Sequence, residues 1–470
     1  MTEPMSGGEL LLLGLLLLCA VLLRAWGLAS FPLEQDEMYT ELESEELYQT
    51  GLKPGIDARP LYYVVQHAVP DGALYPDLRL RVLPLAFGVL GVVVAWALGR
   101  WLFGPVGGLV SGWMVALSPW HLYISGMARY WSLVFLLALL AAWALLRALE
   151  TDERRDYLLA LLLMVAGLVT HPTFVVGMAG AVPAALVVRR DGRLGLPWPT
   201  RAGWLWLFAP LLLVGLWFRW FMQAGRTADP VLNWAGRGLG ASLRLVPGVV
   251  QWATPGVFVA AGCAILAGLA AESARVRRWS FMAGGSALVG LPLLMAASFR
   301  TNIYSDYAVA IVALLLVACG GVALVVLNTA GTVVAGLILA AGVLPSTASH
   351  LLDGTRLDFR PAFARIRDAG PGAMVLVKPI IQARRYAPEL REVETIERRA
   401  ALDSVARGEP WVWLVTSRQR TGLQFDADRS VSSFIAERCR PEGSWERTRF
   451  DFRAHRVELY RCAVPTDGAP

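Results

Sequence analysis

Long apolar stretches, separated by short charged segments, recur along this chain as far as Ser349 and then stop. A helix that crosses the hydrocarbon core of a bilayer needs about 20 apolar residues. By that ruler the pattern predicts spans near Leu10–Ser30, Val82–Phe103, Val106–Ser125, Trp131–Leu149, Tyr157–Thr170 and Thr173–Val188. Further spans are predicted near Gly203–Phe221, Leu245–Ala271, Trp279–Ala297, Tyr307–Leu327 and Thr332–Ser349, about eleven in all. The stretch Tyr157–Val188 is long for one span and short for two, and Thr170-His171-Pro172 interrupts it. It reads either as one span or as a hairpin. Gly108 and Gly112, spaced as a small-xxx-small pair, mark close helix packing.

Two polar regions stand apart from this pattern. The first covers residues 32–81, just after the first span. Within it Met38, Tyr39, Leu42, Leu47 and Leu52 can share much of one helical face, with Glu34, Glu41, Glu43, Glu45 and Glu46 on a wet face. That predicts an amphipathic helix suited to lying on a membrane surface. The chain then turns at Pro54-Gly55 and restarts at Pro60, a favourable first helical residue. The second polar region is the tail, residues 351–470, where "RPAFARIRDAG" reads as helix and turn. In the same tail "AMVLV", "WVWLVTS" and "HRVELYRCAV" read as strands. The expected fold is therefore an α-helical polytopic membrane unit over residues 1–350 followed by a small α/β domain over residues 351–470.

Composition agrees: 56% of residues are hydrophobic, 17% are charged, and mean hydropathy is +0.50. The net charge of +6 sits largely in loops between apolar runs, with no arginine–aromatic cluster of a nucleic-acid module, so no nucleic-acid partner is expected. The N-terminal "MTEPMSGGE" lacks the basic start of a cleaved signal peptide, which leaves the first apolar run as a retained helix. With Tyr157–Val188 read as a hairpin and the N-terminus cytoplasmic, the arginine-rich segments "RALETDERRD", "RRDGRLGLPWPTR" and "ESARVRRW" fall inside. The acidic loop and the tail then face outward. In an extracytoplasmic tail Cys439 and Cys462 form either a disulfide or two free thiols.

Several chemistries lack their signatures. There is no Gly-rich phosphate loop and no G-x-S-x-G elbow, and the five histidines are scattered without metal-ligand spacing. What remains is carboxylates, arginines and aromatics gathered at one face of a helical bundle. That set suits transfer of a group from an anionic lipid. A carboxylate takes the proton of an acceptor hydroxyl, and arginines neutralise the phosphate that leaves.

The segment "LLRAWGLASFPLEQDEMYTELESEEL" resembles the start of membrane glycosyltransferases of the GT-C fold, especially the protein O-mannosyltransferase and aminoarabinose transferase superfamily. There an arginine in the first span precedes an Asp-Glu pair; here these are Arg24, Asp36 and Glu37. "ARPLYYVVQHAV" resembles the His-Pro-Pro segment of that superfamily, and the "ARYW" corner, Ala128 to Trp131, follows. The resemblance implies Asp36 as general base, with Glu37 supporting it or helping to bind a divalent ion. It also implies Arg129, with Tyr130, toward the donor phosphate. The residues themselves add Arg59, Arg300 and His171, which interrupts an apolar run near the outer face, as candidates toward the donor phosphate or lipid, and Tyr62, His67, Tyr304 and Asp306 as candidates along the cavity. Arg79 and Arg81 read as interfacial anchors. The sequence departs from the superfamily at Arg59 and Leu61, where His and a second Pro are preferred, and at Asp306, where relatives carry an Arg-Tyr pair. The implied activity is inverting transfer of a sugar from a polyprenyl-phosphate donor to an acceptor hydroxyl, outside the bacterial inner membrane. The rival expectations are a transporter or flippase of lipid-linked saccharides and a relative that binds glycolipid without turnover.

Overall fold

The computed structural model describes residues 4–50, 60–69, 76–186, 188–190, 193–195, 238–299, 303–326, 328–369, 374–377, 380–393, 411–419, 422–423, 426, 429–447 and 455–463. Helix α1 (Gly7–Ala25) starts at Ser6, whose side chain accepts the Glu9 N–H at 3.2 Å. The chain breaks at Gly27 and opens the acidic helix α2 (Gln35–Thr50), against which the short α3 (Pro60–His67) packs.

Next comes α4 (Pro76–Leu117), which reverses at Gly104, where φ is 81°. Its halves lie back to back, because a Cβ on Gly99 would fall 3.2 Å from the Gly108 Cα and one on Gly112 would fall 3.1 Å from the Trp96 Cβ. Glycine supplies both the left-handed turn and the close approach. Ser118-Pro119 then ends the second half, and α5 (Pro119–Gly126) leads to the "ARYW" corner. Helix α6 (Trp131–Thr151) is buried along most of its length and forms the centre of the bundle.

The stretch read as one span or a hairpin is two helices, α7 (Arg154–Thr170) and α8 (Phe174–Ala185), with His171 at the break. Helix α8 lies against α11 (Ala274–Ala297) through glycines: a Cβ on Gly180 would meet the Gly285 carbonyl oxygen at 2.0 Å. Between them in sequence come α9 (Leu239–Ala253) and α10 (Pro255–Ala270), bent by 91° at Thr254. A single span over Leu245–Ala271 is therefore corrected. Pro255 has no N–H to continue the ladder and disfavours helical geometry at the residue before it.

The segment Ser305–Val326, built from a 3-10 turn, α12 (Val309–Ala318), a second turn and α13 (Val322–Val326), is as deeply buried as α6. Helix α14 (Thr329–Asp353) closes the bundle, and its outer face is apolar and exposed. Among the described residues 6 helices are long and apolar enough to cross a membrane, or up to 7 if the bent pair counts as one. About eleven were expected. The two predicted spans on either side of Gly104 are the two halves of α4, which counts once, α7 and α8 are short at 17 and 12 residues, and Gly203–Phe221 lies outside the described residues. The chain is an integral membrane protein.

Beyond Gly354 the chain forms a mixed sheet flanked by helices α15 (Arg360–Arg367), α16 (Ile380–Tyr386) and α17 (Ser430–Arg438). Among the described residues it has six strands, ordered β4 (Arg391–Val393), β3 (Met374–Val377), β5 (Trp411–Gln419), β8 (Arg456–Ala463) and β7 (Cys439–Glu446), with β6 (Gly422–Leu423) on β5. Two three-residue strands, β1 (Val188–Arg190) and β2 (Arg193–Gly195), pair separately. The sheet's core is Phe359, Phe363, Ile366, Val375, Trp413, Val415, Val457 and Leu459. Cys439 and Cys462, directly opposite on β7 and β8, are joined by a disulfide. The two-thiol alternative is thereby set aside.

Candidate active site

The site grows from the start of α2. Glu37 is completely buried, and its carboxylate is surrounded by donors. Oε1 accepts from Arg81 Nε at 2.9 Å and from the Ala128 N–H at 2.8 Å. Oε2 accepts from Arg81 Nη2 at 3.2 Å, from the Glu34 N–H at 2.9 Å and from Arg356 Nη1. Burial alone would raise the pKa of this carboxyl; the guanidiniums of Arg356 and Arg81, with the Ala128 amide, overcome it and hold the group below its ordinary value of 4.5. Arg81 does more than anchor an interface. It also donates to the carbonyls of Leu28, Phe31 and Pro32 at 2.7–2.8 Å, which fixes the path from α1 into α2.

Neighbours on a helix point about 100° apart, so fixing Glu37 inward turns Asp36 outward. Asp36 is exposed, and among the described residues its carboxylate takes no hydrogen bond or ion pair. One turn on, the stripe of Thr40, Ser44 and Leu47 is buried, whereas Tyr39 and Leu42 are exposed. The expected apolar face is thus divided: Met38 and Leu47 turn inward, Tyr39 and Leu42 outward, and Thr40 turns in toward a guanidinium partner.

That partner is Arg129. Its Nη1 donates to Thr40 Oγ1 at 3.0 Å and Glu43 Oε2 at 3.0 Å, with Tyr63 Oη at 3.5 Å. Burial opposes the charge, but Tyr63, Tyr130, Glu43 and Asp36 outweigh it and keep Arg129 protonated well above the ordinary range. Among the described residues no hydrogen bond occupies its Nη2. Glu43 is thus a partner of Arg129 and of Tyr63, and Glu41 pairs with Arg79 and Arg385. Glu34 accepts from Tyr123 Oη at 2.9 Å. A wholly wet acidic face is corrected for these three.

From Arg129 a file of rings runs into the bundle. The guanidinium lies 5.1 Å from the Tyr130 ring, Tyr130 stacks on His171 at 4.4 Å, His171 lies 5.6 Å from Tyr307, and Tyr307 lies 6.3 Å from Tyr304. Tyr62 is buried edge-on to Tyr130 at 6.2 Å, and burial pushes its phenol pKa well above 10.0. Asp306 is buried in the 3-10 turn beside Tyr307. The structure therefore gathers Asp36, Glu37, Arg129, Tyr130, Tyr62, His171, Tyr304 and Asp306 into one continuous region. His67 lies apart, stacked on Tyr48 at 3.5 Å in the last turn of α2. Arg59 and Arg300 lie outside the described residues. Arg24 is buried at the foot of the site, donating to the Ala20, Val115 and Ala116 carbonyls and contacting His121.

The tail completes the site on one side. Tyr386 Oη accepts the Leu33 N–H at 2.5 Å, and Arg385 donates to Glu41 at 2.8 Å and Asp77 at 2.5 Å. Arg81, Arg356 and Arg385 carry this assembly, and sequence patterns did not single them out as site residues. A divalent ion on Glu37 does not fit, since both its oxygens are taken by cationic and amide donors. Among the described residues no group of three or more His, Cys, Asp or Glu side chains could hold a metal.

Residues 76–217 match the dolichyl-phosphate-mannose-protein mannosyltransferase family. No curated protein matches the chain in sequence. In structure it is similar to ArnT of Cupriavidus metallidurans bound to undecaprenyl phosphate, with a TM-score of 0.52 at 14% identity, covering 97% of this chain and 98% of that one. The apo state of that protein aligns at a TM-score of 0.51 and 15% identity, covering 97% and 98%. The chain has the GT-C fold. The oligosaccharyltransferase of Archaeoglobus fulgidus, tethered to an acceptor peptide, shares it at a TM-score of 0.51 and 11% identity, covering 87% of this chain and 69% of that one.

Proposed function

We propose that this GT-C chain is a membrane glycosyltransferase that moves a sugar from a polyprenyl-phosphate donor to an acceptor hydroxyl, with inversion, outside the bacterial inner membrane. The observation that carries the reading is an exposed carboxylate at Asp36 that takes no hydrogen bond or ion pair among the described residues, beside a buried Arg129 whose Nη2 is likewise unused among them. A general base needs a free lone pair and access to the acceptor; Asp36 has both, and Glu37 has neither. Asp36 takes the hydroxyl proton as the acceptor oxygen attacks the anomeric carbon. The bond from that carbon to the phosphate oxygen breaks, and the lipid phosphate leaves with the electron pair. Arg129 meets the charge that develops on it, with Arg59 and Arg300 as further candidate donors. Tyr62, Tyr130, His171, Tyr304 and Asp306 line the way in. The disulfide suits an oxidising compartment, which supports an outward tail and hence an outward α2, to which the tail is bonded. Residues 1–350 then form the catalytic unit and residues 351–470 an extracytoplasmic domain.

The test uses full-length protein in vesicles supplied with radiolabelled polyprenyl-phosphate sugar and an envelope extract as acceptor. Label passes to an acceptor with the wild type and falls by about 10²-fold or more with Asp36→Asn, while that variant still binds undecaprenyl phosphate. Donor that changes leaflets without transfer, or undiminished product from Asp36→Asn, overturns the reading.

A further inference from the structure

Arg356 lies where the chain leaves α14 for the tail, and a single guanidinium there touches both halves of the site. Its Nη1 donates to Glu37, beside the exposed Asp36; its Nη2 donates to the Gly126 carbonyl at 2.7 Å, three residues before Arg129. Its charge lies 5.8 Å from the Tyr123 ring. The side chain is only 3% exposed. The backbone that presents it is in an uncommon state: Gly354 has φ 67° and Thr355 has φ 59°. A β-branched residue in the left-handed region is strained. Here the strain is held by neighbours. The Thr355 N–H donates to Asp353 at 2.7 Å, its hydroxyl meets His350 Nδ1 at 2.9 Å, and its carbonyl accepts from Arg447 at 3.2 Å.

We infer that Arg356 is a positioning residue: it sets the separation between the Asp36 carboxylate and the Arg129 guanidinium, and so couples the docked tail to the assembly of the site. The inference rests on the reading of Asp36 and Arg129 given above. Glu37 is paired with Arg81 as well, so Arg356 is not its only counter-charge. What Arg356 adds is a rigid fork with two donors aimed at two different elements. A lysine keeps the charge and cannot span both.

The experiment compares wild type, Arg356→Lys and Arg356→Met as full-length chains in nanodiscs, with Arg360→Gln as control. Arg360 pairs with Asp358 and the Ser30 carbonyl and touches neither element of the site. Thermal unfolding checks the fold, and further readouts follow the site. Hydrogen exchange without ligand follows α2 and residues 126–130, including the Ala128 amide that donates to Glu37. Binding of undecaprenyl phosphate and the kcat against KM split of transfer report the site itself. Expected for Arg356→Lys are faster exchange in both segments, unchanged thermal unfolding, and weakening of undecaprenyl phosphate binding and of kcat by about tenfold or more. Arg360→Gln behaves as wild type. Exchange, binding and kcat at wild-type levels in Arg356→Lys overturn the inference. Wild-type protein that binds no undecaprenyl phosphate removes the functional reading, and with it the role given to Arg356, even where exchange changes as expected.

Discussion

Asp36 and Glu37 are adjacent carboxylates with opposite fates, and the difference predicts how each responds to substitution. Glu37 is buried between two guanidiniums and two main-chain amides. Glu37→Gln leaves those cations without their counter-charge, at a cost of about 3–5 kcal/mol, read as a lower midpoint of thermal unfolding in detergent. Asp36→Asn, on an exposed face, shifts that midpoint by no more than about 0.5 kcal/mol allows. Acid separates them again. The folded state holds Glu37 below the ordinary 4.5. Its stabilisation is therefore complete above that value and is lost as pH falls through the lowered folded-state pKa. The acid limb of unfolding should move up in pH in the Arg356→Met variant, where one lowering charge is gone. The Asp-Glu pair was legible in the sequence. The resemblance also pointed to Asp36 as the base, but the partners that bury Glu37 were not legible, because Arg356 stands 319 residues from Glu37 and Arg81 stands 44.

At the scale of elements, packing depends on glycines placed where a neighbour arrives. Gly180→Val would drive α8 off α11, because the first added carbon already meets a carbonyl oxygen at 2.0 Å. The expected loss is about 1–3 kcal/mol or more, seen as a lower midpoint in the same unfolding assay, with Gly7→Val as a neutral comparison in open space. The clasp of Arg385 on Glu41 and Asp77 is of another kind. Its side chains are partly exposed, so Arg385→Gln should cost less than about 1 kcal/mol, and the difference should shrink in high salt. Apolar periodicity located most of the long helices, because burial in lipid is written residue by residue. It misjudged the stretch ending at Ala271, where one proline turns the chain through 91°, and it did not mark Thr40, which turns inward to an arginine that periodicity cannot see.

At the scale of the molecule, the tail is fastened to the first polar loop through Tyr386, Arg385, Arg356 and Arg447. The Cys439–Cys462 bridge closes a separation of 23 residues within the sheet. Replacing both cysteines by serine should destabilise the tail by about 3 kcal/mol on a chain-entropy basis. In urea the loss should register first in fluorescence of Trp411 and Trp413 on β5, ahead of the helical signal. A thiol reagent that cannot cross membranes should label Cys439 and Cys462 in intact cells only after reduction. Strand runs made the α/β character of the tail readable in sequence. Its docking was not readable, since single side chains such as Tyr386 carry it and no pattern precedes them.

The bond from Leu33 to Tyr386 joins positions 353 residues apart. During synthesis the acidic helix leaves the ribosome early, yet the residues that seat it are made on the order of tens of seconds later at about 5–20 residues per second. A nascent or truncated chain can insert its helices and still hold no finished centre. Under the proposed function, a chain cut short before Tyr386 should insert its helices and transfer no sugar, which keeps half-made copies from consuming donor.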